Sequence, residues 1–259
     1  MEQTILKLTG INKSFSGVKV LKQVSMEVSR GEVRGLVGEN GAGKSTLMKI
    51  LTGVYQKDSG TIAIDGQEVR IQTPLQAQKL GLSIIFQEMN LVDSLSIAEN
   101  IFVGRLPKKG IRGIDWKGLM QQAQALLDKV GLKASPNTPV SELSIAGKQL
   151  VEIAKALSFQ SKIIIMDEPS ATLTDKELEN LFRIIEFLRS EGVTVIYISH
   201  RLDEIFQLCD SVTVLRDGEI IDTQPIGNLT REAIIEKMVG REMDQEYLPA
   251  AAVAVRKWF

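Results

Sequence analysis

The chain has 259 residues, 44% of them hydrophobic and 24% charged, with a formal net charge of −1. That suits one large globular domain or two small ones. It lacks the basic footprint of a nonspecific nucleic-acid binder, so no nucleic-acid partner is expected. The single cysteine, Cys209, excludes an intrachain disulfide and fits a reducing compartment. Met1-Glu2-Gln3-Thr4 lacks the basic and apolar regions of a signal peptide, and no run reaches the roughly 20 apolar residues of a membrane span. The expectation is a cytoplasmic protein that can still dock on a membrane partner.

Residues 4–9 alternate and read as a strand. A second runs from Leu21 to Val28, after Phe15, an aromatic suited either to a core or to stacking on a nucleobase. Val33, Leu36 and Val37 mark a short buried strand. Gly38-Glu39-Asn40-Gly41-Ala42-Gly43-Lys44-Ser45-Thr46 follows, and Leu47, Ile50, Leu51 and Val54 then recur at helical spacing. Strand, glycine loop and helix is the context in which G-x-x-x-x-G-K-[ST] binds phosphate. Glycines let the backbone N–H groups turn inward, and the helix N-terminus adds its dipole. Lys44 would reach the β- and γ-phosphates, and the Ser45 hydroxyl would ligate Mg²⁺.

Asp65-Gly66 and Asp217-Gly218 each lie between alternating runs, Thr61 to Val69 and Val212 to Ile221. Both predict hairpins, expected together in a separate small antiparallel sheet. Leu82 to Phe86 is a buried strand ending at Gln87. Residues 88–160 read as an inserted helical subdomain. One of its helices carries Leu119, Ala123, Leu126, Leu127 and Val130 and stops at Gly131, and exposed loops are expected at Pro107-Lys108-Lys109-Gly110 and Pro136-Asn137-Thr138-Pro139. Ile163-Ile164-Ile165-Met166 is a fully buried parallel strand ending in Asp167 and Glu168, where α/β sheets place ligands. Thr174-Asp175-Lys176-Glu177 is a capping box opening a helix with Leu178, Leu181, Phe182, Ile185 and Leu188 on one face. Val193 to Ile198 is the next strand, followed by Ser199 and His200. Thr230 caps a last helix, Ala233 to Val239, before Gly240, and residues 241–259 read as a tail.

Taken in order, Gly38–Ser45, Gln87, Leu143-Ser144, Asp167-Glu168 and His200 resemble the nucleotide-binding domain of ATP-binding cassette (ABC) transporters, over residues 4–240. The resemblance implies an α/β fold: a P-loop ATPase core with a mixed, mainly parallel sheet, a small antiparallel β-subdomain and an inserted helical subdomain. It implies ATP and Mg²⁺ as ligands and ATP hydrolysis as the activity. Phe15 would stack on adenine. Gln87 would sense the γ-phosphate and Mg²⁺ and link to the transmembrane partner. Asp167 would hold Mg²⁺ with Ser45, Glu168 would polarise the attacking water, and His200, the only histidine, would contact the γ-phosphate. Ser144 would donate to the nucleotide of a second, head-to-tail domain.

Two stretches depart from the family pattern. Leu143-Ser144-Ile145-Ala146-Gly147 stands where Leu-Ser-Gly-Gly-Gln is usual, so Ile145 and Ala146 add side chains where glycines allow close approach. Ala171-Thr172-Leu173 is followed by Thr174 instead of aspartate. Within the family, Gly38–Thr46, Leu95-Ser96-Ile97-Ala98-Glu99-Asn100-Ile101-Phe102 and Leu143-Ser144-Ile145 look like the first half of tandem monosaccharide-importer ATPases of the ribose, galactose and xylose type. The chain then reads either as a shortened copy of such a protein or as a dedicated single-domain one. The expected role is to power a sugar-importing permease from the inner face of the membrane; the alternative is a soluble ABC ATPase acting on ribosomes. A DNA-repair ATPase would need a long coiled coil between Ser45 and Leu143, which lacks sustained heptads. A GTPase would need a guanine-reading Asn/Thr-Lys-x-Asp, whereas Asn12-Lys13-Ser14 runs on to Phe15.

Overall fold

The computed structural model of the chain describes residues 3–86, 90–109, 113–170 and 173–240. It begins with β1 (Thr4–Phe15) and β2 (Val18–Ser29), an antiparallel pair that extends beyond both runs expected from sequence. β3 (Val33–Val37) is buried at every position and leads through the glycine loop into α1 (Lys44–Leu51). β4 (Ser59–Ile64) and β5 (Gln67–Val69) turn on Asp65-Gly66, both at positive φ, as the hairpin signal requires. β4 also pairs with β1, giving a four-stranded antiparallel sheet in the order β2-β1-β4-β5. After α2 (Pro74–Lys79) and β6 (Leu82–Ile85) come the helices α3 (Ile97–Ile101), α4 (Trp116–Val130) and α5 (Ile145–Leu157). The remainder alternates: β7 (Ile163–Asp167), α6 (Asp175–Ser190), β8 (Thr194–Ile198), α7 (Leu202–Leu208), β9 (Ser211–Arg216), β10 (Glu219–Pro225) and α8 (Arg231–Val239).

The second sheet has six strands in the order β10-β9-β3-β8-β7-β6, parallel throughout except for β10 at one edge. Its inner strands are apolar on both faces because a core lies on each side. Ile164, Met166, Val195 and Tyr197 face α4, α5 and α6, while Ile163, Ile165, Ile196 and Ile198 face α1 and the antiparallel sheet. Helix ends follow their local signals. Gly131 and Gly240 close α4 and α8 in the left-handed conformation. Thr174 and Glu177 form the capping box of α6, and Thr230 caps α8.

Three expectations need correction. Val54 is not part of the stripe of α1: the helix ends at Leu51, Gly53 takes φ +74, and Val54 is half exposed. The Asp217-Gly218 hairpin does not join the small antiparallel sheet. Val212, Thr213, Val214 and Leu215 are all buried, so β9 lies inside the main sheet, parallel to β3, and only β10 is an edge. The segment 136–139 is not simply an exposed loop. Pro136 is buried, and the carbonyls of Pro136 and Thr138 accept the N–H groups of Ala98 and Ile97, satisfying the first turn of α3. The segments 110–112, 171–172 and 241–259 lie outside the described residues, as does Gln87.

The β9–β10 turn is packed against the start of the chain. The Gly218 N–H donates to the Ala42 carbonyl at 3.0 Å, and its own carbonyl accepts from Lys22 at 2.8 Å. A Cβ at Gly218 would stand 2.3 Å from the Val20 carbonyl oxygen, at φ +82. Gly218→Ala is therefore expected to lower unfolding free energy by about 2–4 kcal/mol, from the clash and the left-handed backbone together. Urea unfolding checks this; a loss below about 0.5 kcal/mol would show that the contact yields.

Candidate active site

Parallel pairing of β3, β8 and β7 carries their C-terminal ends to one edge of the sheet. That edge is where a doubly wound sheet presents its ligand. β3 delivers the loop 38–46, β7 delivers Asp167 and Glu168, and β8 delivers Ser199 and His200. Asn40, Gly41, Gly43, Lys44, Ser45, Thr46, Asp167 and Glu168 line one cleft of about 460 Å³, closed at one side by Val20 of β2.

The glycines answer to space. A Cβ on Gly38 would lie 2.1 Å from the Leu215 carbonyl oxygen, and one on Gly43 would lie 2.8 Å from Leu21 Cδ2 at φ +108. Gly41 takes φ +87 with open space around it, on the side that faces the cleft. Lys44 Nζ donates to the carbonyls of Gly38 at 2.6 Å and Glu39 at 3.0 Å, which holds the cation across the loop. Of the remaining loop residues, Glu39 is exposed and Ala42 buried.

The charges are in tension. Burial pushes the Asp167 carboxyl above the ordinary aspartate range; the neighbouring Glu168 adds to this, and Lys44 and Lys49 oppose it. Burial likewise pulls Lys44 below its ordinary value, against the attraction of Glu168 and Asp167. Glu168 holds a left-handed backbone at φ +47 and donates its N–H to the Ile198 carbonyl at 2.9 Å. Its Oε2 lies 3.2 Å from Nδ1 of His200, whose side chain is 63% exposed.

A glycine loop with one cation, two hydroxyls and two carboxylates fits a nucleotide phosphate with a hard divalent cation. Ser45 and Asp167 carry oxygen atoms of the kind that would hold such an ion. Other expected site residues stand apart. Phe15 is 38% exposed at the β1–β2 turn, edge-on to Tyr55 with ring centroids 5.1 Å apart, and it does not line the cleft. Ser144 is the N-cap of α5, its Oγ accepting from Gly147 N at 3.2 Å, and it too lies outside that cleft.

Sequence reading missed three contributors. Val20 gave no signal. Gln149 of α5 donates from Nε2 to the Pro169 carbonyl, joining that helix to the loop after Glu168. Glu204, 1% exposed, accepts from the hydroxyls of Ser170, Tyr197 and Ser199. Its signal was legible: four residues before Leu208, it falls on the buried stripe of α7.

Because Asp167 is raised in the folded protein, its ionised form opposes folding at neutral pH, and that cost fades as pH falls through its folded pKa. Asp167→Asn removes the charge and keeps the shape. The variant alone is expected to melt higher than the parent at pH 7, with the gap narrowing toward pH 4, while Mg²⁺-dependent nucleotide binding weakens. Calorimetric scans across pH check this; a variant that melts lower at pH 7 would overturn it.

Comparison with known proteins agrees with this geometry. The ABC transporter family matches residues 21–171. MJ1267, an ATP-binding cassette of an ABC transporter solved in its ADP conformation, is 27% identical with a TM-score of 0.78, covering 92% of this chain and 99% of that one. CbiO1 from Clostridium perfringens, part of the ABC transporter complex cbiONQ, is 27% identical with a TM-score of 0.77, covering 92% of this chain and 95% of that one. MJ0796, a bacterial ABC transporter cassette solved as a dimer with ADP and Pi, is 24% identical with a TM-score of 0.73 over 86% of this chain, a likeness of fold. With the match spanning more than half its length, the chain belongs to the ABC transporter family, as an ATP-binding cassette that hydrolyses ATP and energises a transporter.

Proposed function

We propose that this cassette drives a permease importing a small sugar, sitting at the inner face of the membrane beside a second cassette. The observation that carries the ATPase chemistry is the cleft joining Lys44, Ser45, Asp167 and Glu168, with His200 against Glu168. Support for the sugar rests on the likeness of Gly38–Thr46, Leu95–Phe102 and Leu143–Ile145 to monosaccharide-importer ATPases. A permease surface is supported by a groove of about 200 Å³ between α2, β6 and α5. Val54, Ile84, Phe86, Asn90 and Glu152 are among its lining residues, and Phe86 is the residue before Gln87 in sequence. Burial raises the Glu152 carboxyl there, and the Asn90 N–H holds it at 3.0 Å.

In this reading the backbone N–H groups of 40–45 and the N-terminus of α1 hold the phosphates. Lys44 exchanges the Gly38 and Glu39 carbonyls for β- and γ-phosphate oxygens. Ser45, Asp167 and Gln87 would hold Mg²⁺, which would supply charge neutralisation when bound. Glu168 accepts a hydrogen bond from the attacking water and sets it in line with the γ-phosphorus. His200 keeps Nδ1 on Glu168 and turns Nε2 to the γ-phosphate. Phe15 stacks on adenine from the β1–β2 turn.

Glu168→Gln is expected to keep ATP binding and lose turnover by on the order of 100-fold or more, the scale of one preorganised group. His200→Ala is expected to slow hydrolysis with little loss of nucleotide affinity; an equal loss of ADP and ATP binding would mark a structural histidine. Calorimetry with single-turnover hydrolysis separates the two effects. Parent-like hydrolysis by Glu168→Gln would move the water-orienting role elsewhere.

The second cassette is the sharper test. Ile145 is 49% exposed at the start of α5, where a partner's γ-phosphate would have to approach. The chain alone is expected to bind ATP as a monomer and hydrolyse it slowly. A separate domain with an intact glycine signature should raise the rate, and glycine at 145 and 146 should promote ATP-dependent homodimers in the Glu168→Gln background. Light scattering and rate against protein concentration check this. Tight dimers of the parent at full rate would overturn it, and recovery of ribosomes instead of a permease on purification from cells would overturn the transport reading.

A further inference from the structure

Glu204 joins the two loops that carry the Glu168–His200 pair. Its Oε2 accepts from Ser170 Oγ at 2.7 Å, from Tyr197 OH at 2.8 Å and from Ser199 Oγ at 2.8 Å. Its Oε1 lies 3.0 Å from Arg201 Nη1. Ser170 stands two residues after Glu168, and Ser199 immediately precedes His200. All of Ser170, Tyr197, Ser199 and Glu204 are buried to within a few per cent.

A carboxylate in such a place is costly unless its lone pairs are filled. Three hydroxyl donors meet Oε2 here, and Oε1, which makes no hydrogen bond, is compensated by the Arg201 ion pair. The Tyr197 phenol is pushed upward by burial and by Glu204, so it remains a donor across the working pH range. The loops after β7 and β8 are thus tied to one acceptor on α7. The Glu168 N–H and the Gln149 amide also hold the loop after β7, and the Arg201 N–H holds Ser199 Oγ, but only Glu204 ties the two loops to each other through side chains among the described residues, framing the 3.2 Å approach of His200 to Glu168.

We infer that Glu204 is a positioning residue for hydrolysis: a buried carboxylate staple that sets His200 against Glu168 without itself touching nucleotide. The inference rests on the catalytic reading of Glu168 and His200.

His200 is the only histidine, so its imidazole resonances in the untagged chain are unique and report its surroundings without any assay of turnover. In folded Glu204→Ala, the His200 ring resonances should move from the parent position. kcat should fall roughly tenfold, the scale of a modest misplacement, with KM for ATP within about twofold. Glu204→Gln, whose amide oxygen still accepts, should recover most of both. In a His200→Ala background, Glu204→Ala should add less than about a twofold loss, because the group it positions is gone. Unmoved resonances, a parallel loss of ATP affinity, or additive losses would each overturn the inference. If Glu204→Ala does not fold, Ser199→Ala removes one arm of the staple, and the same resonances decide. Should His200→Ala hydrolyse ATP like the parent, the catalytic reading fails, while the resonances still judge the staple.

Discussion

The hydrogen bond from the Glu168 N–H to the Ile198 carbonyl holds the rest of the site in place. It continues the parallel pairing of β7 and β8 one residue beyond the matched pair Asp167 and Ile198. Glu168 takes a left-handed backbone there, a conformation costing a β-carbon residue on the order of 1–3 kcal/mol. Buried neighbours on both faces of the sheet over-determine the turn and sustain it. Its effect is directional, because the chain turns at the strand end and the carboxylate meets His200 from the adjacent strand.

Around that turn the protein gathers groups that stability alone would separate. Asp167 and Glu168 repel, Lys44 is desolvated, and both Asp167 and Lys44 are pushed toward their neutral forms. A highly charged phosphate chain with its cation relieves each of these tensions. Destabilisation of this kind is expected where an electrostatic device is preorganised for its substrate. The neighbouring Glu204 differs, being an acid whose Oε2 is met by three hydroxyl donors from the chain itself.

Much of this was readable in advance where one local rule suffices. The run Ile163 to Asp167 is apolar because both faces are covered, and the loop 38–46 announces itself by its glycines and Lys44. The caps Thr174 and Thr230 and the stops Gly131 and Gly240 depend on one turn of backbone. What escaped depends on distant segments. Asp217-Gly218 signals a hairpin, but not which sheet receives it; burial of β9 beside β3 decides that. Pro136 looks like a surface proline until its carbonyl is seen to hold α3. Val54 keeps the helical period by chance after Gly53 has ended the helix. The pairing of Glu168 with His200 is set by the order of strands, which no window of sequence contains.

That strand order also bears on how the chain is made. β3 lies between β8 and β9, strands encoded more than a hundred residues later, and the loop after β3 packs on Leu215 and Gly218. During synthesis at about 5–20 residues per second, the glycine loop and α1 emerge on the order of ten seconds before their supports. Through that interval α1 can pack on the N-terminal sheet and on later residues such as Ala77 and Leu82, but β3 lacks both its sheet neighbours. A nascent chain therefore cannot complete its phosphate cradle until the β9–β10 hairpin has left the ribosome, and a motif written near the start is among the last to take shape.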